Sequence, residues 1–205
     1  MIDKYLRPIK DKVLIPLAKK TALIFSPNQI SLISFFFGLI SCLMIFLHQL
    51  YPALAFWILN RVIDGLDGTA ARLNKLQTDW GGYLDIMLDF VIYALIPISF
   101  TIAYSSSIVD YAVLSIMLGL FYINTASWMY LSGIIEKRSI NSNIPEQTSL
   151  PMPTGLMEGA ETILLFSLLL IFPHLMIYIY LFMSLLTIIG IIQRIRWGYI
   201  HIRNK

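Results

Sequence analysis

Four aspartates stand out in a chain poor in charge: Asp64, Asp67, Asp85 and Asp89, within the run RVIDGLDGTAARLNKLQTDWGGYLDIMLDF that spans residues 61–90. Asp64 and Asp67 are three residues apart and Asp85 and Asp89 four, so on helices each pair projects from one face. The connection between the pairs is short. It makes the two helices antiparallel neighbours and lets four carboxylates converge at one level. Hard oxygen donors with no His or Cys nearby suit Mg2+ or Mn2+ and suit zinc badly. The predicted complement is two ions, a recurring device for displacement at phosphorus, where the pair neutralises the attacking and leaving oxygens.

The residues around the acids point the same way. Gly65, Gly68, Ala70 and Ala71 crowd the first pair, and Gly81 and Gly82 play the matching part before the second. Small side chains let a bulky group approach the backbone; they also let membrane helices pack closely, a reading that weighs somewhat more at Gly65 and Gly82, though a ligand is favoured there too. Gly68 and Ala71 fall on the Asp64 face, where a ligand is the better explanation. Arg72 follows on the same helix, with a planar fork suited to phosphate.

What positions these residues is set by the composition of the whole chain. Of 205 residues 58% are hydrophobic and only 13% charged, against about 25% charged in a soluble domain, and mean hydropathy is +0.74. Residues 30–47 carry no charge and are long enough to cross a bilayer. The apolar segments are continuous rather than alternating, which selects helices over a barrel. The expected fold is an all-α polytopic membrane protein, a single domain over 1–205, with an interfacial amphipathic helix at 1–25 and a six-helix membrane core at 28–197.

The amphipathic segment interleaves Tyr5, Ile9, Val13, Leu14 and Leu17 with lysines and lies in the interface plane. Ser26-Pro27-Asn28 breaks it and caps the first span, Asn28 to Leu47. Spans two to six are expected at about Pro52–Lys75, Trp80–Tyr104, Val109–Ile135, Gly155–Phe172 and Leu175–Trp197. A loop rich in Asn, Ser and Pro occupies Glu136–Pro153. A signal peptide is a poor reading of the N-terminus, because no small-residue cleavage pattern follows the first apolar stretch. Cys42, the only cysteine, reads as a core residue.

The net charge of +3 is unevenly placed. Connections after spans one, three and five carry no Lys or Arg, whereas the termini, the segment joining spans two and three, and the 136–153 loop are basic. By the positive-inside rule both termini and the acidic site lie on the cytoplasmic side of the cytoplasmic membrane. The basic termini fit anionic lipid headgroups and not nucleic acid.

The pattern Asp64-x-x-Asp67-Gly68-x-x-Ala71-Arg72, eight residues, Gly81-x-x-x-Asp85-x-x-x-Asp89 resembles the signature of the CDP-alcohol phosphotransferase family at every fixed position. Eight identities over 26 residues make the match specific, and Pro27-Asn28 looks like the family's entry motif. The resemblance implies six spans with the signature on spans two and three. It further implies metal ligation by Asp64, Asp67, Asp85 and Asp89, with Asp89 also the general base. Gly68, Ala71, Arg72, Thr78 and Gly81 would contact the CDP moiety, with Asn28 and Ser31 closing over it from span one. The implied reaction moves a phospho-alcohol, most simply phosphatidyl from CDP-diacylglycerol, to a hydroxyl acceptor that is small and polar or itself a lipid. CMP is released, and a homodimer is a further expectation of the family.

Glu158 and Glu161 are expected to share a face at the start of span five and to shape the acceptor pocket, with Arg61, Arg138 and Arg194 as basic candidates there. Two other readings are weighed. An intramembrane prenyltransferase also holds Mg2+ and a diphosphate on Asp-rich helices, but lacks the Gly-x-x-Ala-Arg insertion between the acids. A divalent-cation transporter would need polar residues continuing toward the outer face, and spans two and three show few.

Overall fold

The computed structural model describes residues 14–141 and 155–202, which are helical apart from turns and short connections. Residues 14–21 form α1. The main helices are α2 (Pro27–Phe46), α3 (Leu50–Asn74), α4 (Asp79–Tyr104), α5 (Ile108–Asn141), α6 (Gly159–Ile171) and α7 (Met176–Ile202), the last preceded by a 3-10 turn at Pro173–Leu175. Most of the expected amphipathic segment (1–13), the 142–153 part of the expected loop and the side chain of Arg138 lie outside the described residues.

Among the described residues, four segments are long and apolar enough to cross a membrane: Pro27–Phe46, Asp79–Tyr104, Ile108–Lys137 and Pro173–Ile202. This pattern makes the chain an integral membrane protein. The other two expected spans differ for stated reasons. α3 has the length but carries Arg61, Asp64, Asp67 and Arg72. α6 has 13 residues, about 20 Å at 1.5 Å per residue, because residues 155–158 precede the helix instead of opening it. α5 runs to Asn141, past the expected end at Ile135, since Glu136, Lys137 and Arg138 are good helix formers.

The helix ends follow from local chemistry. Ser26 caps α2 in a capping box with Gln29, with Pro27 in the first helical turn. α3 closes on Lys75 in a left-handed conformation (φ 55°, ψ 35°), and four residues later α4 begins under a Thr78 cap. At the far end His48 packs edge-on against Tyr104, so the α2–α3 turn and the end of α4 lie together.

α2, α3 and α4 form one tightly tied group. α2 buries a stripe of small residues, Ser31, Ser34, Gly38, Ser41 and Cys42, spaced to let neighbouring backbones come close. A Cβ on Gly38 would lie 2.6 Å from the Ile92 side chain of α4. Across α2–α3 the Ser34 hydroxyl donates to the Asn60 carbonyl (2.7 Å) and the Ser41 hydroxyl to the Ala53 carbonyl (2.8 Å). Leu14 and Ala18 of α1 pack on Ile30, Leu66 and Ala70, immediately behind the first acidic pair. Trp57, Phe100, Phe166 and Tyr180 are fully buried in the main core that joins this group to α5–α7. Tyr180 of α7 donates to the Pro97 carbonyl of α4 (3.0 Å) and meets Thr101 (3.1 Å).

Candidate active site

The acids lie where the second half of α3 runs beside the first half of α4. One carboxylate oxygen each of Asp64, Asp67 and Asp85 falls within 4.8 Å of the others. Oxygens bound to one Mg2+ at about 2.0–2.1 Å stand at most roughly 4.2 Å apart, so side-chain movements of well under an ångström would draw all three onto one ion. The three donors therefore fit a small divalent cation without rearrangement of the backbone, and their all-oxygen chemistry suits no softer metal. Asp67 is buried and oriented on both sides: the Ser31 hydroxyl of α2 donates to Oδ2 at 2.5 Å, and the Gly68 N–H donates to Oδ1.

Asp89 stands differently. Its Oδ1 is 2.8 Å from Nη2 of Arg61, and Nη1 of the same arginine is 3.7 Å from Asp64 Oδ2. The sequence places Arg61 among residues for an acceptor; the structure turns its guanidinium into the acidic cluster, one turn of α3 from Asp64.

Beside the three carboxylates opens a cleft of about 180 Å³. Asn28 and Ser31 of α2, Gly68, Ala71 and Arg72 of α3, and Thr78 and Gly81 at the start of α4 all line it, with Asp67 and Asp85 at its floor. Two helix N-termini, those of α2 and α4, meet there, and their exposed N–H ends favour an anion. Arg72 lies over Gly68: a Cβ at Gly68 would come 3.4 Å from Nη1. Gly81 is hemmed in, since a Cβ would sit 3.0 Å from both Asn28 Oδ1 and Thr78 Oγ1. Gly82 also lines the cleft but has open space in front of it, so helix packing does not require its lack of a side chain.

A second cavity, about 640 Å³, lies between α4, α5, α7 and the start of α6. Its walls are largely aromatic and aliphatic, among them Phe90, Tyr93, Phe121 and Trp128, with Asn124, Glu158, Thr162 and Arg194 as polar members. Arg194 is 5% exposed and donates through Nη1 to the Asn124 carbonyl (3.0 Å) and to Asn124 Oδ1 (2.8 Å), tying α7 to α5. Glu158 is the residue before α6, with extended backbone (φ −125°, ψ −171°), and faces the cavity, whereas Glu161 is inside the helix and buried. The helix starts four residues later than expected, so Glu158 is the residue before it and Glu161 lies in its first turn.

Two participants escaped the sequence reading. Tyr93 continues the Asp85, Asp89 stripe by another four residues; it meets Arg61 through its hydroxyl (3.0 Å) and lines the second cavity. Asn124 gave no local signal, because its partner Arg194 is 70 residues away.

The profile of the CDP-alcohol phosphatidyltransferases matches residues 24–192. Inner membrane protein YnjF of Escherichia coli strain K12 is 37% identical over 149 residues, covering 72% of this chain and 70% of that one. A bifunctional IPC transferase and DIPP synthase of Aquifex aeolicus strain VF5 is 39% identical over 67 residues, 32% of this chain and 15% of that much longer one. Among solved structures, Mycobacterium tuberculosis phosphatidylinositol phosphate synthase (PgsA1), crystallised with CDP-DAG bound, superposes with a TM-score of 0.68. That match covers 92% of this chain and 94% of the other at 15% identity, and so bears on the fold alone. With the signature, its helical setting and the profile in agreement over most of its length, the chain belongs to the CDP-alcohol phosphatidyltransferase family and is a CDP-alcohol phosphotransferase of the membrane.

Proposed function

We propose that the protein transfers the phosphatidyl group of CDP-diacylglycerol to a hydroxyl acceptor and releases CMP, at the cytoplasmic face of the membrane. The observation that carries this reading is the meeting of three carboxylates with a cleft lined by Arg72, Gly68, Ala71 and Gly81 at two helix N-termini. The choice of donor is supported by the similar fold of PgsA1, which was crystallised with that lipid. Sidedness is supported by the clustering of Lys19, Lys20, Arg72, Lys75, Lys137 and Arg196 toward the acidic end of the bundle. In this reading α2 to α7 all span, residues 155–158 complete the short α6, and the chain is one catalytic domain.

Each residue has a task. Gly68, Ala71 and Gly81 admit the nucleotide close to the backbone, while Arg72 and the N-termini of α2 and α4 hold phosphate oxygens. Two Mg2+ or Mn2+ ions held by Asp64, Asp67 and Asp85, with Asp89 near, would neutralise the pyrophosphate and polarise the phosphorus. Ser31 and the Gly68 N–H keep Asp67 aimed. Asp89 accepts the proton of the acceptor hydroxyl. The new bond joins the acceptor oxygen to the phosphorus that carries diacylglycerol, and the bond from that phosphorus to the bridging oxygen breaks, so that CMP leaves. The acceptor enters from the second cavity, which begins at Phe90 and Tyr93, the residues next to and one turn beyond Asp89.

A cation path through the cluster is opposed by what lies beneath it: Arg61 packed on Trp57 and Tyr93, with Phe166 behind. The deciding assay is CMP release by the purified protein given CDP-diacylglycerol, Mg2+ or Mn2+ and a panel of alcohols, beside Asp89→Asn. Release with one acceptor, lost in the variant, is the expected result. No release with any acceptor from protein that binds metal would overturn the choice of donor.

A further inference from the structure

Arg61 is one of the buried charged residues that the signature does not include, and among those described it alone reaches the signature acids. It is 7% exposed, and its guanidinium is fixed on three sides. Nε donates to Asn60 Oδ1 at 2.6 Å, Nη1 to the Tyr93 hydroxyl at 3.0 Å, and Nη2 meets Asp89 Oδ1 at 2.8 Å. The faces of the fork are occupied as well, with Cζ 5.0 Å from the centroid of Trp57 and 5.1 Å from that of Tyr93. Asn60 is itself anchored, donating to the Ser34 carbonyl (2.8 Å) and hydroxyl (3.0 Å) of α2. A chain of fixed groups therefore runs from α2 through α3 to the carboxylate of Asp89 on α4.

We infer that Arg61 is a positioning residue for catalysis, a preset cation that aims Asp89 between the nucleotide cleft and the second cavity and offsets the charge of Asp64. The inference rests on the reading of Asp89 as the proton acceptor. Asp89 is only half-buried, and such a carboxylate is free to choose among rotamers unless something rigid holds it. A planar fork clamped by Asn60, Trp57 and Tyr93 is rigid, and a lysine ammonium on a flexible stem is not. The direction of hold also has a purpose. Asp89 and Tyr93 share a face of α4, and Tyr93 lines the second cavity, so the arginine that grips both fixes the carboxylate relative to the wall of that cavity. Charge is the second contribution. A cation 3.7 Å from Asp64 lowers the negative potential of the cluster and so competes with a metal ion for it.

These two contributions predict opposite signs, which a purely structural role does not. In the purified full-length protein, Mn2+ binding is followed by paramagnetic resonance and turnover by CMP release. Arg61→Met is expected to bind Mn2+ severalfold more tightly and to lose kcat by roughly a hundredfold, the scale of a misaimed catalytic group, while KM for the donor holds. Arg61→Lys should recover part of kcat. Tyr93→Phe, which keeps the cation but frees one side of the fork, should lower kcat severalfold with Mn2+ affinity unchanged; it also serves if Arg61→Met does not fold. Wild-type turnover in Arg61→Met, or joint loss of Mn2+ affinity and turnover in both Arg61→Lys and Tyr93→Phe, overturns the inference. Wild-type protein that binds Mn2+ yet releases no CMP counts against the proposed reaction instead. The metal arm then still decides the charge role of Arg61, because unchanged or weaker Mn2+ binding in Arg61→Met would overturn it.

Discussion

The two cavities of this protein are built in contrasting ways. The nucleotide cleft takes its polar groups from three helices consecutive in sequence, at helical spacings within a stretch of about 60 residues, and nearly all are small or short. The larger cavity draws on α4, α5, α6 and α7, with aromatic walls and a polar tie, Arg194 to Asn124, that crosses 70 residues. On the proposed reading, the first serves phosphoryl transfer from the nucleotide. The second is assembled from distant parts, so it can change shape without disturbing the first.

The comparison can be broken at several points. The largest effect is expected at the acids: Asp89→Asn should lower CMP release by about 10³-fold, within the range for a lost general base, with the melting temperature in detergent hardly moved. Chelation of divalent ions should abolish turnover, and Mn2+ or Mg2+ should restore it. Next, Gly81→Ala places a methyl against Asn28 and Thr78 and should raise KM for the donor by about tenfold, the scale of one methylene in a closed pocket. Gly82→Ala meets open space in the protein, so its stability should match wild type and any rise in donor KM must come from the ligand itself. In the second cavity Thr162→Phe should raise KM for the acceptor severalfold and leave donor KM alone. A parallel rise in both would mean that the two cavities are one site.

The smallest effect on turnover, though not on stability, is expected at the α5–α7 tie. Arg194→Met should destabilise by about 1–3 kcal/mol, the cost of leaving the Asn124 acceptors unsatisfied. Combining it with Asn124→Ala should add less than the sum of the single effects, which thermal melts in detergent would show. Acceptor KM is then expected to shift more than donor KM.

Sequence reading was strong where function is local. The signature acids, the cap at Ser26 and the turn through Lys75 to Thr78 depend on neighbours within four residues, and residue types declare such neighbours. Asp64, Asp67 and Asp85 converge as helical spacing requires. Reading failed where long-range packing decides. The partner of Arg61 is one such case: nothing in its own neighbourhood tells Asp89, which it meets, from Glu161. The start of α6 is another: Gly155 resembles a helix start, whereas the helix begins at Gly159. The length of α3 was legible despite its charges: the expected Pro52–Lys75 agrees with Leu50–Asn74.

The turn between α3 and α4 has a consequence for the enzyme's tolerance of its surroundings. Only Lys75 to Thr78 separate the two helices, so the relative height of the acids is set by covalent geometry and by the bonds from Ser31 and Arg61. A change in bilayer thickness is accommodated by tilting the whole bundle, at a small cost per ångström of mismatch, and the carboxylates ride together as it tilts. Turnover should therefore vary little between short-chain and long-chain lipid vesicles, even where the lipid-facing helices must lean.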